Sequence, residues 1–183
     1  MSTEAQASTV TWSIDKAHSE VEFAVKHMMF TTVKGTFSEL TGTIVEDTAD
    51  VSRSSVETTV EVASVSTRDA KRDEHLRSAD FFAAEDHPAI TFKSTAVHPI
   101  AADRFTVQGD LTIRGTTRSV SLDVTKTGSG VNPWGMQVAG FTATTQINRK
   151  EFGLNWNVAL EAGGVLVGDT IKISLEIEAA KQS

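Results

Sequence analysis

The chain has 183 residues, of which 39% are apolar, and a formal net charge of −7 with acidic and basic residues interspersed. This composition suits one domain with a sizeable core, and it excludes the basic stripe expected of a nucleic-acid-binding protein. The absence of cysteine excludes disulfides and cysteine-ligated metals, and no run approaches the ~18 apolar residues of a membrane-spanning helix, so we expect no stable membrane insertion.

The chain begins with a polar stretch, residues 1–9, that has neither a basic start nor an apolar run. It does not resemble a secretory signal, and we interpret it as a disordered tail. We therefore expect a cytoplasmic location, with a periplasmic one as the alternative if a signal peptide has been removed. Residues 10–180 are expected to form a single domain, because no linker, low-complexity tract or repeat interrupts them.

After the tail, apolar and polar residues alternate in one segment after another, which indicates strands with one apolar, buried face and one polar, solvent-exposed face. In chain order the segments are 10–15, 19–27, 35–45 with a bend predicted near 38–42, 55–62, 89–94, 104–113, 119–124 and 170–177. About eight such strands can bury their apolar faces together in a closed antiparallel barrel, which leaves no edge exposed. A barrel of that size is just wide enough to be filled with side chains or to hold one small ligand.

The segment Thr67–Glu85 differs from the rest because it is charged, free of glycine and compatible with helix. We predict a long connection with one or two short helices that packs over one end of the barrel. Its charges are typical of a solvated helix face, and its apolar residues would also allow it to act as a lid. Those apolar residues are Leu76, Phe81 and Phe82. Glycine, proline and asparagine predict turns at 97–103, 113–117 and 127–134, and residues 155–168 are predicted to be irregular.

Five histidines are the first candidates for chemistry, and none has the spacing of a metal-binding pair such as HxH, HxxxH or HExxH. His18 and His27 would face opposite sides of one regular strand, whereas His87 and His98 fall in or near predicted turns. We expect no metal, with a site assembled from distant strands as the alternative. His27, in phase with Val25, is interpreted as a polar group in or near the barrel mouth.

No catalytic motif is found: the chain lacks GxSxG, and its glycines do not form a phosphate-binding loop of the Walker or Rossmann type. We therefore expect no catalysis and no cofactor. The alternative is an enzyme that acts on a lipid through His27 and a carboxylate such as Asp15.

Phenylalanines fall one per strand, in phase with valine and isoleucine neighbours. From this phase, and from the position of Phe81 in the connection, we predict the residues that face the lumen and would contact a ligand. They are Val21, Phe23, Val25, His27, Phe37, Val60, Phe81, Phe92, Phe105, Val107, Leu111, Phe141, Ile173 and Leu175. Phase alone does not distinguish a hollow barrel from one filled by its own side chains.

Several short motifs, in order, cover residues 12–178 and resemble the YceI-like family of bacterial proteins. They are Trp12-Ser-Ile-Asp-Lys-Ala-His-Ser19, Val21-Glu-Phe-Ala-Val-Lys-His27, Gly35-Thr-Phe37, Arg72-Asp-Glu-His-Leu-Arg-Ser78, Pro88-Ala-Ile-Thr-Phe-Lys-Ser94, Gly109-Asp-Leu-Thr-Ile-Arg-Gly115, Asn148-Arg-Lys-Glu-Phe-Gly153 and Val167-Gly-Asp169. The resemblance implies an all-β fold, an eight-stranded antiparallel lipocalin-like barrel with one helical connection at residues 67–85.

The resemblance also implies that the lumen holds a long apolar molecule: a polyisoprenoid or isoprenoid quinone-like chain, or fatty-acid-like amides or lipophilic drugs. The family is known for binding and not for catalysis. Binding, storage or transport of a lipid is therefore the expected function, with sequestration of drugs, fatty-acid amides or stress products as the alternative. The apolar ligand is the expected partner, nucleic acid is not expected, and a homodimer is left open.

Overall fold

The computed structural model describes residues 8–183, so the predicted tail lies outside the described residues up to residue 7. Within these residues the chain forms eleven strands and one α-helix, joined by turns and short 3-10 segments. The elements are β1 Thr9–Ile14, β2 Glu20–His27, β3 Thr31–Phe37, β4 Leu40–Asp47, β5 Ser55–Glu61, β6 Val65–Ser66, α1 Ala70–Arg77, β7 Ala89–Ala101, β8 Arg104–Ile113, β9 Thr116–Val131, β10 Gln137–Asn148 and β11 Thr170–Lys181. None of the helices in residues 8–183 is long and apolar enough to cross a bilayer.

The strands form a closed, eight-stranded antiparallel barrel, as the sequence predicts, although β10 is not among the predicted segments and the first two predicted segments belong to one broken strand of the ring. Around the ring the order is β1, β4, β5, β7, β8, β9, β10 and β11, and β11 returns to pair with β1 through Ile14 and Ala179. Closure satisfies the backbone hydrogen bonds of strands that would otherwise lie at an edge.

The first three strands of the ring are each broken in two, and β2, β3 and β6 extend the wall beyond β1, β4 and β5. A 3-10 turn at Lys16–His18 separates β1 from β2, and another at Val62–Ser64 separates β5 from β6. The bend predicted near 38–42 is found at residues 38–39, between β3 and β4. Because of the first break, β11 pairs with β2 over its first half and with β1 at its end.

Two predicted turns are wrong in extent. Strand β7 continues to Ala101 and strand β9 to Val131, so the turns lie at residues 102–103 and 132–136, and His98 lies inside a strand. Pro99 is tolerated in β7 because the register with β8 shifts beside it. Gly128 and Gly130 lie in a part of β9 where a Cβ would meet no other atom, so they are not needed for a turn.

The two ends of the barrel have different covers. We call the lid end the one formed by α1, the turn at 28–30, the turn at 114–115 and the irregular segment 149–169. We call the hairpin end the opposite one, formed by the turns at 102–103 and 132–136 and by residues 47–54. The predicted connection 67–85 contains α1 followed by tight turns, and it lies at the lid end.

Candidate functional site: an apolar lumen

A cavity of about 430 Å³ runs through the middle of the barrel, and its lining is almost entirely apolar. It lies between the two main clusters of buried residues, one built on β7, β8 and the end of β10, and the other on β1 to β6. The barrel is therefore hollow and is not filled by its own side chains.

All fourteen residues that the sequence predicts to face the lumen line this cavity. Phe92, Val107 and Leu111 belong to the first buried cluster, and Val21 and Phe37 belong to the second. His27 lies at the lid end of the lumen, where it forms an isolated bridge with Val167. That these residues contact a ligand stays a prediction.

The cavity is also lined by residues outside the predicted set. They include Ile14, Val33, Ile44, Val56, Ile90, Val97, Val120, Leu122, Ala143, Ile147, Trp156 and Ile171. Half of them alternate in phase with the predicted residues of their own strand: Val33, Val56, Ile90, Ala143, Ile147 and Ile171. Trp156 and Leu166 lie in the irregular segment, where no period exists to reveal which way a side chain points.

Two phenylalanine rings pack over glycines of the neighbouring strand: Phe23 lies directly across from Gly35, and Phe92 lies diagonally across from Gly109. A Cβ on Gly35 would collide with the ring of Phe23, and a Cβ on Gly109 would collide with the ring of Phe92. Glycine inside a strand often marks such a close approach. The two glycines therefore give the rings room at the wall, which keeps them from crossing the lumen.

Aromatic side chains from two segments close the lid end. The ring of His75 on α1 packs edge-on against Phe81 at 5.0 Å and against Trp156 at 4.6 Å between centroids, and Phe81 lies 5.5 Å from Trp156. A hydrogen bond of 2.8 Å joins His75 Nε2 to the Asp80 carboxylate. Leu76 and Phe82 add to this cover, so α1 and the turns after it form a wall of the cavity.

Helix α1 is held in place by polar contacts at its N-terminal end, beside the lumen. The Asp69 carboxylate accepts the backbone N–H of Arg72 at 3.0 Å, and this bond is the main reason that the pKa of Asp69 is lowered. The buried Asp73 accepts from both the N–H and the hydroxyl of Thr67, at 2.7 and 2.6 Å. These bonds fix the start of α1 to the end of β6.

Arg149 organises the irregular segment, and its side chain is only 2% exposed. Its guanidinium donates to the carbonyls of Gly168 at 2.8 Å, Leu154 at 2.6 Å, Trp156 at 2.9 Å and Val167 at 3.3 Å. Burial lowers the pKa of Arg149 from its ordinary value, and Asp169 at 3.8 Å partly offsets this effect. One charged group thus satisfies carbonyls that no strand ladder satisfies.

An inward-facing ion pair closes the hairpin end. Lys126 Nζ donates to Glu46 Oε1 at 2.7 Å, and the Trp12 indole N–H donates to Glu46 Oε2 at 2.9 Å. The ammonium also lies 5.8 Å from the Trp12 ring and 5.9 Å from the Phe141 ring, within range of a cation–π interaction. Glu46 follows Ile44 in phase, so this polar group terminates the apolar lining of its strand.

The residues proposed for lipid chemistry are not brought together. His27 lies at the far end of β2, and Asp15 precedes the start of that eight-residue strand, a span of about 25 Å. Asp15 hydrogen-bonds instead to His18 at 2.8 Å, on the outside of the barrel, because Ile14 before it faces the lumen. This bond lowers the pKa of Asp15 and raises the pKa of His18.

Fold and lumen together define a class: lipocalin-like barrels that enclose a long apolar cavity. A model of the YceI-like domain matches residues 12–179. The chain therefore belongs to the YceI-like family, as its motifs indicate. A UPF0312 protein of Staphylococcus epidermidis is 38% identical over 168 residues, which cover 91% of this chain and 95% of that protein. The UPF0312 protein of Staphylococcus aureus strain USA300 is also 38% identical, with the same coverage.

Solved structures share the architecture. BcnA of Burkholderia cenocepacia has a TM-score of 0.77 at 26% identity, covering 90% of this chain and 98% of its own. A YCEI protein of Campylobacter jejuni has a TM-score of 0.72 at 28% identity, covering 86% of this chain and 90% of its own. A polyisoprenoid binding domain from Saccharophagus degradans, 13% identical with a TM-score of 0.68, covers 97% of this chain and 100% of its own and shares the fold.

Proposed function

We propose that this protein binds a long apolar lipid, of the polyisoprenoid or isoprenoid quinone type, inside the barrel and stores or carries it without changing it chemically. The single observation that carries the proposal is the hollow, almost wholly apolar lumen that extends from the lid end towards the hairpin end. Such a cavity offers a chain contact along its whole length and offers almost no polar partner to a compact polar ligand.

The expected affinity is compatible with storage. Binding energy for larger ligands is about 0.3 kcal/mol per heavy atom, so a chain of about forty carbons would reach about −12 kcal/mol. That value corresponds to roughly nanomolar dissociation. An apolar lining discriminates by only ~1–3 kcal/mol per methylene, so fatty-acid amides or lipophilic drugs of similar shape would compete for the same space.

The family relationship supports the proposal. The Saccharophagus degradans domain, which shares the fold, is described as polyisoprenoid binding. The lumen in this chain lacks a cluster of acid, base and nucleophile in the positions that the structure describes, since His27 is distant from Asp15 and no serine motif is present. We therefore propose a binding role that needs no cofactor.

The test compares one lumen substitution with its outward neighbour. Val107 lies mid-strand in β8 and faces the lumen, whereas the next residue, Gln108, is exposed on the outer face. Val107→Trp places a ring in the space that a chain would occupy, and Gln108→Trp places the same ring in solvent. Each purified variant is extracted with organic solvent, the extract is analysed by mass spectrometry, and the delipidated protein is melted.

We expect wild type and Gln108→Trp to release about one equivalent of a long-chain lipid and Val107→Trp to release little. In a hollow lumen the inserted ring costs less than the ~1–3 kcal/mol typical of an overpacked core. A Val107→Trp variant that melts well below wild type and still retains its lipid contradicts the proposal. An extract of the wild type that contains lipophilic drugs or fatty-acid amides and no polyprenyl chain favours the sequestration role instead.

A further inference from the structure

Among residues 8–183, one group of side chains places a histidine and two carboxylates close enough to share an ion: Asp15, His18 and Glu178. It lies on the outer surface of the barrel, away from the lumen. The sequence spacing of these residues does not indicate a site, because Glu178 lies in the last strand, far along the chain from Asp15 and His18.

The three ligand atoms have suitable separations. Asp15 Oδ2 lies 2.8 Å from His18 Nδ1, Glu178 Oε1 lies 4.0 Å from the same nitrogen, and all three atoms fall within 4.8 Å of one another. Two ligands bonded to one zinc ion at about 2.1 Å in tetrahedral geometry are about 3.4 Å apart. Small side-chain adjustments would therefore bring all three atoms to bonding distance.

The backbone fixes the positions from which these side chains project. The N–H of Asp15 donates to the carbonyl of Glu178 at 2.8 Å, and the hydroxyl of Ser19 both donates to that carbonyl at 3.2 Å and accepts the N–H of Glu178 at 3.1 Å. The 3-10 turn Lys16–His18 then returns His18 toward Asp15, whose other oxygen accepts the N–H of Ala17. The ligand set is largely preorganised before any ion binds.

The surrounding charge also favours a cation. Glu176 lies two residues from Glu178 on the same side of β11, and its partner across the ladder is Glu20, another carboxylate. Like charges directly opposite each other on neighbouring strands are destabilising. The nearby Lys16 does not offset them, because its ammonium pairs with Glu39 at 2.9 Å.

We propose that Asp15, His18 and Glu178 form a binding site for a late first-row divalent cation such as Zn²⁺, with water completing the coordination. Imidazole nitrogen with carboxylate oxygens is a ligand set that zinc accepts, and three protein ligands plus water is a known open arrangement. The ion displaces the proton shared by Asp15 and His18, which passes to solvent. It ties the turn after β1 to β11, at the point where β11 changes its pairing partner.

The experiment titrates delipidated protein with Zn²⁺ at pH about 8, by calorimetry and by thermal melting. We expect one equivalent to bind and to raise the melting temperature. His18→Ala and Glu178→Gln should each weaken binding at least tenfold, roughly the loss seen when a site's supporting residues are removed. Circular dichroism confirms folding, which is expected because both side chains are partly exposed.

Matched controls distinguish a specific Zn²⁺ site from nonspecific attraction of cations to the acidic surface. His98→Ala removes another exposed histidine and should leave Zn²⁺ affinity unchanged, and Glu176→Gln should weaken it by much less than Glu178→Gln. In NMR spectra, the His18 ring should be the first of the five histidine rings to shift. No binding at millimolar Zn²⁺, or equal effects of Glu176→Gln and Glu178→Gln, overturns the proposal.

Discussion

At the lid end of the barrel, one fully buried guanidinium holds an irregular segment by its carbonyls, whereas at the hairpin end a partly exposed ammonium and carboxylate neutralise each other. Arg149 is 2% exposed, and Lys126 and Glu46 are each 21% exposed. A buried charge depends entirely on its protein partners, but a partly exposed one can recover solvation from water. The lid end should therefore be the end whose structure depends on a single side chain.

The largest effect is expected for Arg149→Met. It removes the donor from the carbonyls of Leu154, Trp156 and Gly168, whereas the Val167 carbonyl keeps its bond from Asn157 Nδ2 at 2.8 Å, and we expect a loss of about 3–5 kcal/mol of unfolding free energy. Chemical denaturation measures the loss, and hydrogen exchange should show earlier opening of residues 154–168 than of the strands. The control is Lys150→Met, next to it but half exposed, for which we expect under about 1 kcal/mol.

A smaller effect is expected for Gly109→Ala. The new Cβ collides with the ring of Phe92 and with the backbone carbonyl oxygen of Lys93, so the ring must turn into the lumen and the backbone of β7 must shift, at a cost of about 1–3 kcal/mol. The matched control is Gly130→Ala, in the part of β9 at the hairpin end where a Cβ meets nothing within 4 Å. Equal stability of the two variants in thermal melts would show that the mid-barrel wall is as permissive as the hairpin end.

At the hairpin end, Lys126→Met should cost about 1 kcal/mol, because water can reach the Glu46 carboxylate that loses its partner. The double variant Lys126→Met with Glu46→Gln should recover part of the loss, since no uncompensated charge remains. Urea denaturation of the wild type, of the single variants Lys126→Met and Glu46→Gln, and of the double variant completes the cycle. If Lys126→Met cost as much as Arg149→Met, the distinction between the two ends would not hold.

The smallest effect is expected in the dependence of stability on acidic pH. Asp47, at the hairpin end, accepts the backbone N–H groups of Asp50 and Ala49 and pairs with Arg53, and the first of these bonds contributes most to lowering its pKa. Its stabilising contribution is therefore complete above the unfolded pKa of about 3.9 and is lost as pH falls through the lower folded pKa. Asp47→Asn should flatten the stability profile in that acid range, as followed by melting temperature against pH. A variant whose profile parallels wild type would exclude Asp47 as a source of the acid sensitivity.

The sequence predicts the barrel and much of its lumen because both follow from period-two alternation. Val21, Phe23 and Val25 share a face by local geometry alone, and the structure places all three at the cavity. The contacts that cover the two ends of the barrel do not follow from alternation. Lys126 and Glu46 are 80 residues apart, and their pairing depends on where distant strands meet.

Alternation also contains information about the hairpin end of the barrel. Ile44 and Glu46 are in phase, as are Val124 and Lys126, so an inward charge at the end of each apolar face could have been inferred from alternation. Gly109 within a strand could have indicated the close approach of a ring. Arg149 gave no such signal, because it reaches its carbonyl partners through a segment with no periodicity.

The order of strands around the ring has a kinetic consequence. When β1 with β2, β3 with β4 and β5 with β6 are each counted as one broken strand, neighbouring strands of the ring follow one another along the chain, so most of the sheet can assemble by successive pairings with modest loop-closure entropy at each step. The exception is β11, whose contacts with β1 and β2 join positions more than 140 residues apart, such as Lys172 with Ala24. We expect closure along β11 to be a late step in folding. Until it occurs, an intermediate exposes two unpaired strand edges and an open apolar trough, and in that interval the chain is most prone to aggregate.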